Sequence, residues 1–435
     1  MLVILRQVNN KTPFIILTQT DKRNHYILYG LLLTGYTIRA WQVFSFNPLQ
    51  HLWSDPLRHW SHASETLHSG PMAFFDPVGY QIWLSAVQKL TAGDPLLVAL
   101  YTIALSWSAP WLWYRAFRAL AISRPLCLLG WVILTWLPSW LAIYSYFMTE
   151  TLFLPLLGGA IWLSLQAKRK QTTGAFALAV LLWTLTALVR GIAAPMAAAA
   201  LFWVWWNQQS DRWFKGFIGI LIAGCLLGPI AYRNYQQVGL WSPFGNAWLT
   251  RIYAVSGHKA IEMELVKDGA YWIYGFQSPS MDKKLLSPLS EWRSQRTGIL
   301  KIKIDLSRKS IDWEKEYDAS RLNNTAGLYW ENGLILFFDS SWPDNDPAQA
   351  IAQLQITARW LWLPLFLVVI AWSCKDWSGC RQQPLICILI IVWFYFQCLT
   401  LVSVNEGRYR KPFEGLLIAQ ILLLADYRRS KNIYG

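Results

Sequence analysis

Apolar and polar residues follow one another along the chain in long blocks rather than at short periods. Runs of about twenty predominantly apolar residues recur, the length a helix needs to cross a hydrocarbon core. They fall at 26–46, 96–117, 125–145, 150–166, 174–189, 195–209, 213–231, 358–374, 384–403 and 412–427. The short alternating segments of an outer-membrane barrel do not describe this pattern. The expected fold class is an all-α polytopic membrane protein with about ten transmembrane helices. Two polar stretches interrupt the apolar blocks, 47–95 and 232–357. The second is long enough for a small folded domain. The expected organisation is a transmembrane module, 1–231, a mixed-structure extracytoplasmic domain, 232–357, and a C-terminal helical part, 358–435, with an outer basic loop at 404–411.

Composition agrees. Hydrophobic residues make up 54% of the chain and charged residues 15%, against about 25% charged in soluble domains. A soluble enzyme and a disordered chain are both excluded. The 28 Trp carry no functional weight, because aromatic residues gather at membrane interfaces anyway.

Lys and Arg order the topology. They cluster at Arg6, Lys11, Lys22 and Arg23, at Arg115, Arg118 and Arg124, and at Lys168, Arg169 and Lys170. Further groups are Arg212 and Lys215, Lys375 and Arg381, and Arg428, Arg429 and Lys431. Every second connection is thus basic, which places both termini in the cytoplasm of a multi-pass inner-membrane protein. The start, MLVILRQVNN, lacks the basic region and cleavage site of a signal peptide, so the first span reads as an uncleaved anchor. The net charge of +14 is then partly topogenic and implies no nucleic-acid partner. All six cysteines fall in spans or inner connections, so no disulfide is expected in the outer domain.

Candidate chemistry gathers on the outer side. Asp-Pro occurs at Asp55-Pro56, Asp76-Pro77 and Asp94-Pro95, and an ordinary helix start explains such a pair as well as a site does. Asp55 is followed at helical spacing by Arg58, His59, His62 and Glu65, which puts these groups on one polar face. A divalent metal is a further candidate there, although the spacing matches no zinc pattern. Glu150 opens the fourth span, either as a cap at the positive helix end or as a hydroxyl-binding group. The loop Glu406-Gly407-Arg408-Tyr409-Arg410-Lys411 carries three cations on the side that short-loop charge avoids. An anion would compensate them, and phosphate suits the fork of Arg. Arg190 and Arg233 lie at span ends on the same side, as further phosphate ligands or as interfacial side chains. Phosphate-loop, dinucleotide, HExxH and GxSxG motifs are missing from the sequence.

These segments, in this order and on one side of the membrane, resemble the GT-C superfamily of polytopic glycosyltransferases. The likeness is to the branch holding the protein O-mannosyltransferases and the lipid A aminoarabinose transferases. SDPLRHWSHASETLHSGPMAFFDPVGYQIWL (54–84) is similar to the acid-containing first loop of that branch. TETLFLPLL (149–157), LVRGIAAP (188–195), GPIAYRNYQQVG (228–239) and NEGRYRKPFEGLL (405–417) follow later segments. The resemblance implies a polyprenyl-phosphate sugar donor, a hydroxyl acceptor on lipid, glycan or protein, and Asp55 as catalytic base. The family's motif is Asp-Glu, and here Pro56 replaces the Glu. Glu65 or Asp76 is then the candidate second acid, and Arg408, Arg410, Lys411, Arg190 and Arg233 the phosphate ligands, with Tyr409, His59 and His62 beside them. Two rivals share these features: a surface-polysaccharide polymerase or ligase using polyprenyl-diphosphate glycans, and a transporter of lipid-linked substrates.

Overall fold

The computed structural model describes residues 19–63, 76–238, 241–244, 260–265, 270–275, 299–305, 310–315, 333, 336–337, 349–399 and 407–434. Its N-terminal part is helical: α1 (Gln19–Ser45), α2 (Ser54–His62), α3 (Val78–Thr91), α4 (Pro95–Ala119) and α5 (Arg124–Trp136). The short α6 (Pro138–Ala142) leads to α7 (Thr149–Lys170), α8 (Thr173–Val189), α9 (Ala193–Trp206) and α10 (Arg212–Val238). After the sheet described below come α11 (Gln349–Lys375), α12 (Trp377–Gln382), α13 (Leu385–Phe394) and α14 (Lys411–Tyr434). Three of these, α4, α7 and α10, are long and apolar enough to cross a membrane, or four when α5 and the bent segment after it count as one span. The helices α8 and α9, and Trp360–Lys375 and Leu385–Cys398, are apolar but shorter.

Four strands lie between α10 and α11: β1 (Ala260–Leu265), β2 (Ala270–Gly275), β3 (Ile299–Asp305) and β4 (Ser310–Lys315). They form one sheet in the order β2-β1-β3-β4, two antiparallel hairpins joined through a parallel pair. The register sets Glu262 opposite Lys301 and Lys301 opposite Glu314, then Glu264 opposite Lys303 and Lys303 opposite Asp312. The alternate row runs Trp272, Met263, Ile302 and Trp313. A slip of one residue would break both the charge rows and the apolar row, which is why the pattern specifies this pairing.

The segment expected as a single span at 125–145 is broken. Pro138 has no N–H, so the Leu134 carbonyl loses its helical partner, and α5 meets the following segment at 56°. The freed carbonyls go to Arg39. Its Nη2 donates to Leu134 O at 2.8 Å and its Nε to Thr135 O at 2.9 Å. Its Nη1 reaches Ser106 O at 3.2 Å, Ser106 Oγ at 3.0 Å and Trp140 O at 3.2 Å. Arg39 is 1% exposed and caps a broken helix inside the bundle. Backbone carbonyls are the usual partners of such an intramembrane cation.

The break also sets the start of α14. Trp140 Nε1 donates to Lys411 O at 3.1 Å, and Ser139 Oγ donates to the Glu414 carboxylate. From there α14 runs through the middle of the bundle, with Phe413, Leu416 and Leu417 fully buried, against α5, α7, α11 and α13. Close approach needs small residues. The Trp113 ring of α4 occupies a slot where a Cβ on Gly158 of α7 would meet it at 2.6 Å and one on Gly415 of α14 at 2.7 Å. By contrast α10, the more apolar helix, lies on the outside and is only 6% buried.

Candidate functional site

The three Asp-Pro pairs have three different fates. Asp94 is a plain cap, accepting from Leu97 N at 2.9 Å at the start of α4. Asp55 lies inside the first turn of α2 and pairs with Arg58 one turn later, Oδ1 to Nη2 at 3.2 Å. Asp76 precedes α3 without capping it. Its side chain, 1% exposed, is the hub of the outer segment. Arg58 Nε stands 3.1 Å and His59 Nδ1 3.4 Å from Oδ1, and His62 Nδ1 is 3.8 Å from Oδ2. Arg58 therefore bridges two carboxylates, Asp55 with a quarter of its surface open (24%) and Asp76 with none to spare.

The spacing of α2 explains half of this. Asp55, Arg58, His59 and His62 recur at three and four residues, so one face carries them all. α3 supplies the other half. Gln81 Nε2 lies 3.0 Å from His59 Nδ1, and the Tyr80 ring meets the His59 imidazole edge-on at 5.2 Å. Trp60, on the far side of α2, stacks on Phe147 at 4.4 Å and fastens the helix to the turn before α7.

Burial alone would raise the Asp76 pKa, but His59, His62 and Arg58 outweigh it and hold the carboxyl below its ordinary value. A carboxylate so held stabilises the fold fully above its unfolded-state pKa of about 3.9 and loses that contribution as pH falls below it. Asp76→Asn is expected to cost about 2 kcal/mol at neutral pH, since it removes the buried charge that Arg58, His59 and His62 surround. The melting gap between wild type and variant should close as pH falls below about pH 4. A gap that persists at the acid end would contradict the pairing.

A second constellation lies next to the first. Glu150, 1% exposed in the first turn of α7, pairs with Arg190 at 2.5 Å. The dipole favours a carboxylate there, but no side chain caps α7, and the partner of Glu150 is a cation from the end of α8. The Arg190 guanidinium also lies 4.4 Å from the centroid of the Tyr409 ring, in geometry suited to cation–π attraction. Tyr80 joins the two groups, since its buried phenol feels Thr151 and Glu150 while its ring meets His59 edge-on.

The basic loop divides differently from its sequence pattern. The Arg410 side chain is 2% exposed, paired with Glu414 at 3.1 Å, and donates to Leu336 O at 2.9 Å and Phe337 O at 3.1 Å. Its Nε and Nη1 are thus committed within the protein, to one carboxylate and two carbonyls. Lys411 is fully buried at the head of α14. Arg233 shares the Asn234 amide oxygen at 3.0 and 3.3 Å, and Asn234 Nδ2 in turn donates to Ser242 O at 2.7 Å. Glu65 and the side chain of Arg408 lie outside the described residues.

Among the described residues no group of three or more His, Cys, Asp or Glu is arranged to hold a metal ion. Both histidines turn Nδ1 toward Asp76, which is the geometry of a packed carboxylate. Sequence reasoning did not single out Tyr80, Gln81 or Glu414. The last stood at i+4 from Arg410 and was legible as a helical ion pair; the α3 pair had no local signal. No family model matches the chain, and no curated protein and no solved structure matches it. The class defined by fold and composition is a helical membrane protein.

Proposed function

We propose that the chain is an inverting glycosyltransferase of GT-C type with about ten spans and cytoplasmic termini. In this reading the 54–84 segment, the 232–357 domain and the loop at 404–411 face the periplasm. It moves a sugar from a polyprenyl-phosphate donor to a hydroxyl acceptor at the outer membrane face. The observation that carries the reading is the accessible Asp55 carboxylate, held by an arginine that a buried second acid, Asp76, holds in turn. The sequence motif lacks its adjacent Glu, and Asp76 supplies the second acid from the next element.

The chemistry follows from the charges. Asp55 accepts the acceptor's proton as that oxygen attacks the anomeric carbon. The bond from the anomeric carbon to phosphate oxygen breaks, and the polyprenyl phosphate leaves with both electrons. Such a leaving group needs cations more than an acid, and Arg190 and Arg408 supply them. Arg58 fixes the Asp55 carboxylate, while the opposite charge of Asp76 offsets the field that Arg58 exerts on it. One displacement gives inversion.

Donor binding tests the reading separately from catalysis. Wild-type protein, gently solubilised, is expected to carry polyprenyl monophosphate in native mass spectrometry. The double variant Glu150→Gln, Arg190→Gln, which strands no buried charge, should lose at least about tenfold of it. A bound polyprenyl diphosphate with a long glycan would replace this reading by that of a polymerase or ligase. Equal retention by the variant would remove Arg190 from the donor site.

A further inference from the structure

At the opposite end of the bundle, the last turns of α4 and α7 form an open cleft of about 400 Å³ lined by Tyr114, Arg115, Arg118, Trp162, Gln166 and Arg169. It lies within the size range of ligand pockets. Each arginine is positioned by a neutral partner. The Arg115 guanidinium sits 4.4 Å from the Trp162 ring centroid and 5.4 Å from that of Trp111. Arg118 Nη1 donates to Tyr114 Oη at 3.3 Å, and Arg169 Nη2 to Gln166 Oε1 at 3.0 Å. Among the described ion pairs, none gives any of the three a carboxylate.

Cations near a helix C-terminus complement its dipole, and that accounts for charge at Arg118 and Arg169. It does not account for a cleft between them, nor for Arg115 held over two indole rings. Three guanidinium groups around one space fit a phosphate ester. Trp107 and Trp111, on the same stripe of α4, are 42% and 41% exposed, so an apolar wall continues from the cleft along the helix. A ligand with a phosphate at one end and hydrocarbon at the other matches both parts. We propose that this cleft binds the head group of an anionic phospholipid of the inner leaflet, with an acyl chain along Trp107 and Trp111. The leaflet follows from the charge-derived topology; the binding does not depend on the transferase reading.

The test is lipid retention by the solubilised full chain in native mass spectrometry, with dioleoyl phosphatidylglycerol, dioleoyl phosphatidylcholine and soluble sn-glycerol 3-phosphate as probes. Wild type should hold phosphatidylglycerol about tenfold more strongly than phosphatidylcholine. The triple variant Arg115→Gln, Arg118→Gln, Arg169→Gln should erase that preference. The exposed Arg118→Gln alone should lower it about threefold with an unchanged melting temperature, which covers failure of the triple variant to fold. Arg212→Gln, at an inner-side arginine stacked on Trp205 and Trp213, should change nothing. The proposal falls if wild type shows no preference, if the cleft variants keep it, or if Arg212→Gln costs as much. Displacement of the lipid by equimolar glycerol phosphate would assign the cleft to a soluble phosphate ester instead.

Discussion

Asp55→Asn is expected to lower sugar transfer by about 10²–10⁴-fold, the range over which a positioned general base contributes. The amide is nearly isosteric and keeps an acceptor toward Arg58 Nη2, while Arg58 remains anchored to Asp76 at 3.1 Å, so the fold should survive. Donor binding should survive too, because the cations assigned to the phosphate are on α8 and in the loop before α14. The expected result is a fall in kcat with bound polyprenyl phosphate unchanged. Asp55→Glu should recover part of the activity, since it restores a base at the cost of position. Asp76→Asn separates base from support: Asp76 is sealed from the acceptor, so that variant should lose stability and part of kcat but keep measurable turnover. Near-normal turnover in Asp55→Asn would make the base assignment wrong.

The largest effect on stability is expected at Arg39. Arg39→Met keeps the volume of the side chain and removes every donor, leaving the carbonyls of Leu134, Thr135, Ser106 and Trp140 without it. Each buried acceptor left unsatisfied costs about 1–3 kcal/mol, so the sum should exceed about 4 kcal/mol, more than for Asp76→Asn. Arg39→Lys should rescue little, because one ammonium cannot reach carbonyls that diverge around a planar guanidinium. Unfolding of such a chain is seldom reversible, so the comparison is of melting midpoints and inactivation half-lives at fixed scan rate. The break that Arg39 caps also carries Trp140 and Ser139, which hold Lys411 and Glu414. Loss of activity should therefore precede global unfolding in the variant. A melting midpoint within a degree or two of wild type would refute the capping role.

Much of this was legible in the chain. The apolar blocks located the helices, because a twenty-residue run has few other ways to satisfy its backbone in lipid. Composition excluded a soluble enzyme on the same ground. The i+3 spacing of Asp55 and Arg58 and the i+4 spacing of Arg410 and Glu414 were local facts, readable from helical period alone, although only the first was used. At Arg410 the pattern showed a cluster of cations and not the carboxylate and two carbonyls that it meets.

Tertiary structure decided the rest, for a common reason. Pairings between distant segments depend on which helix faces lie together, and no local period encodes that. So it was with Asp76 closing on Arg58, Glu150 on Arg190, and Arg39 on the carbonyls that Pro138 frees. Hydropathy marks α10 as the more apolar of the two, yet α10 lies outside the bundle and α14 at its centre. The break after α5, and Gly415 where the Trp113 ring fits, let α14 approach its neighbours closely. Sequence by itself determined the class of protein and where its charges could be; packing alone determined which charges meet.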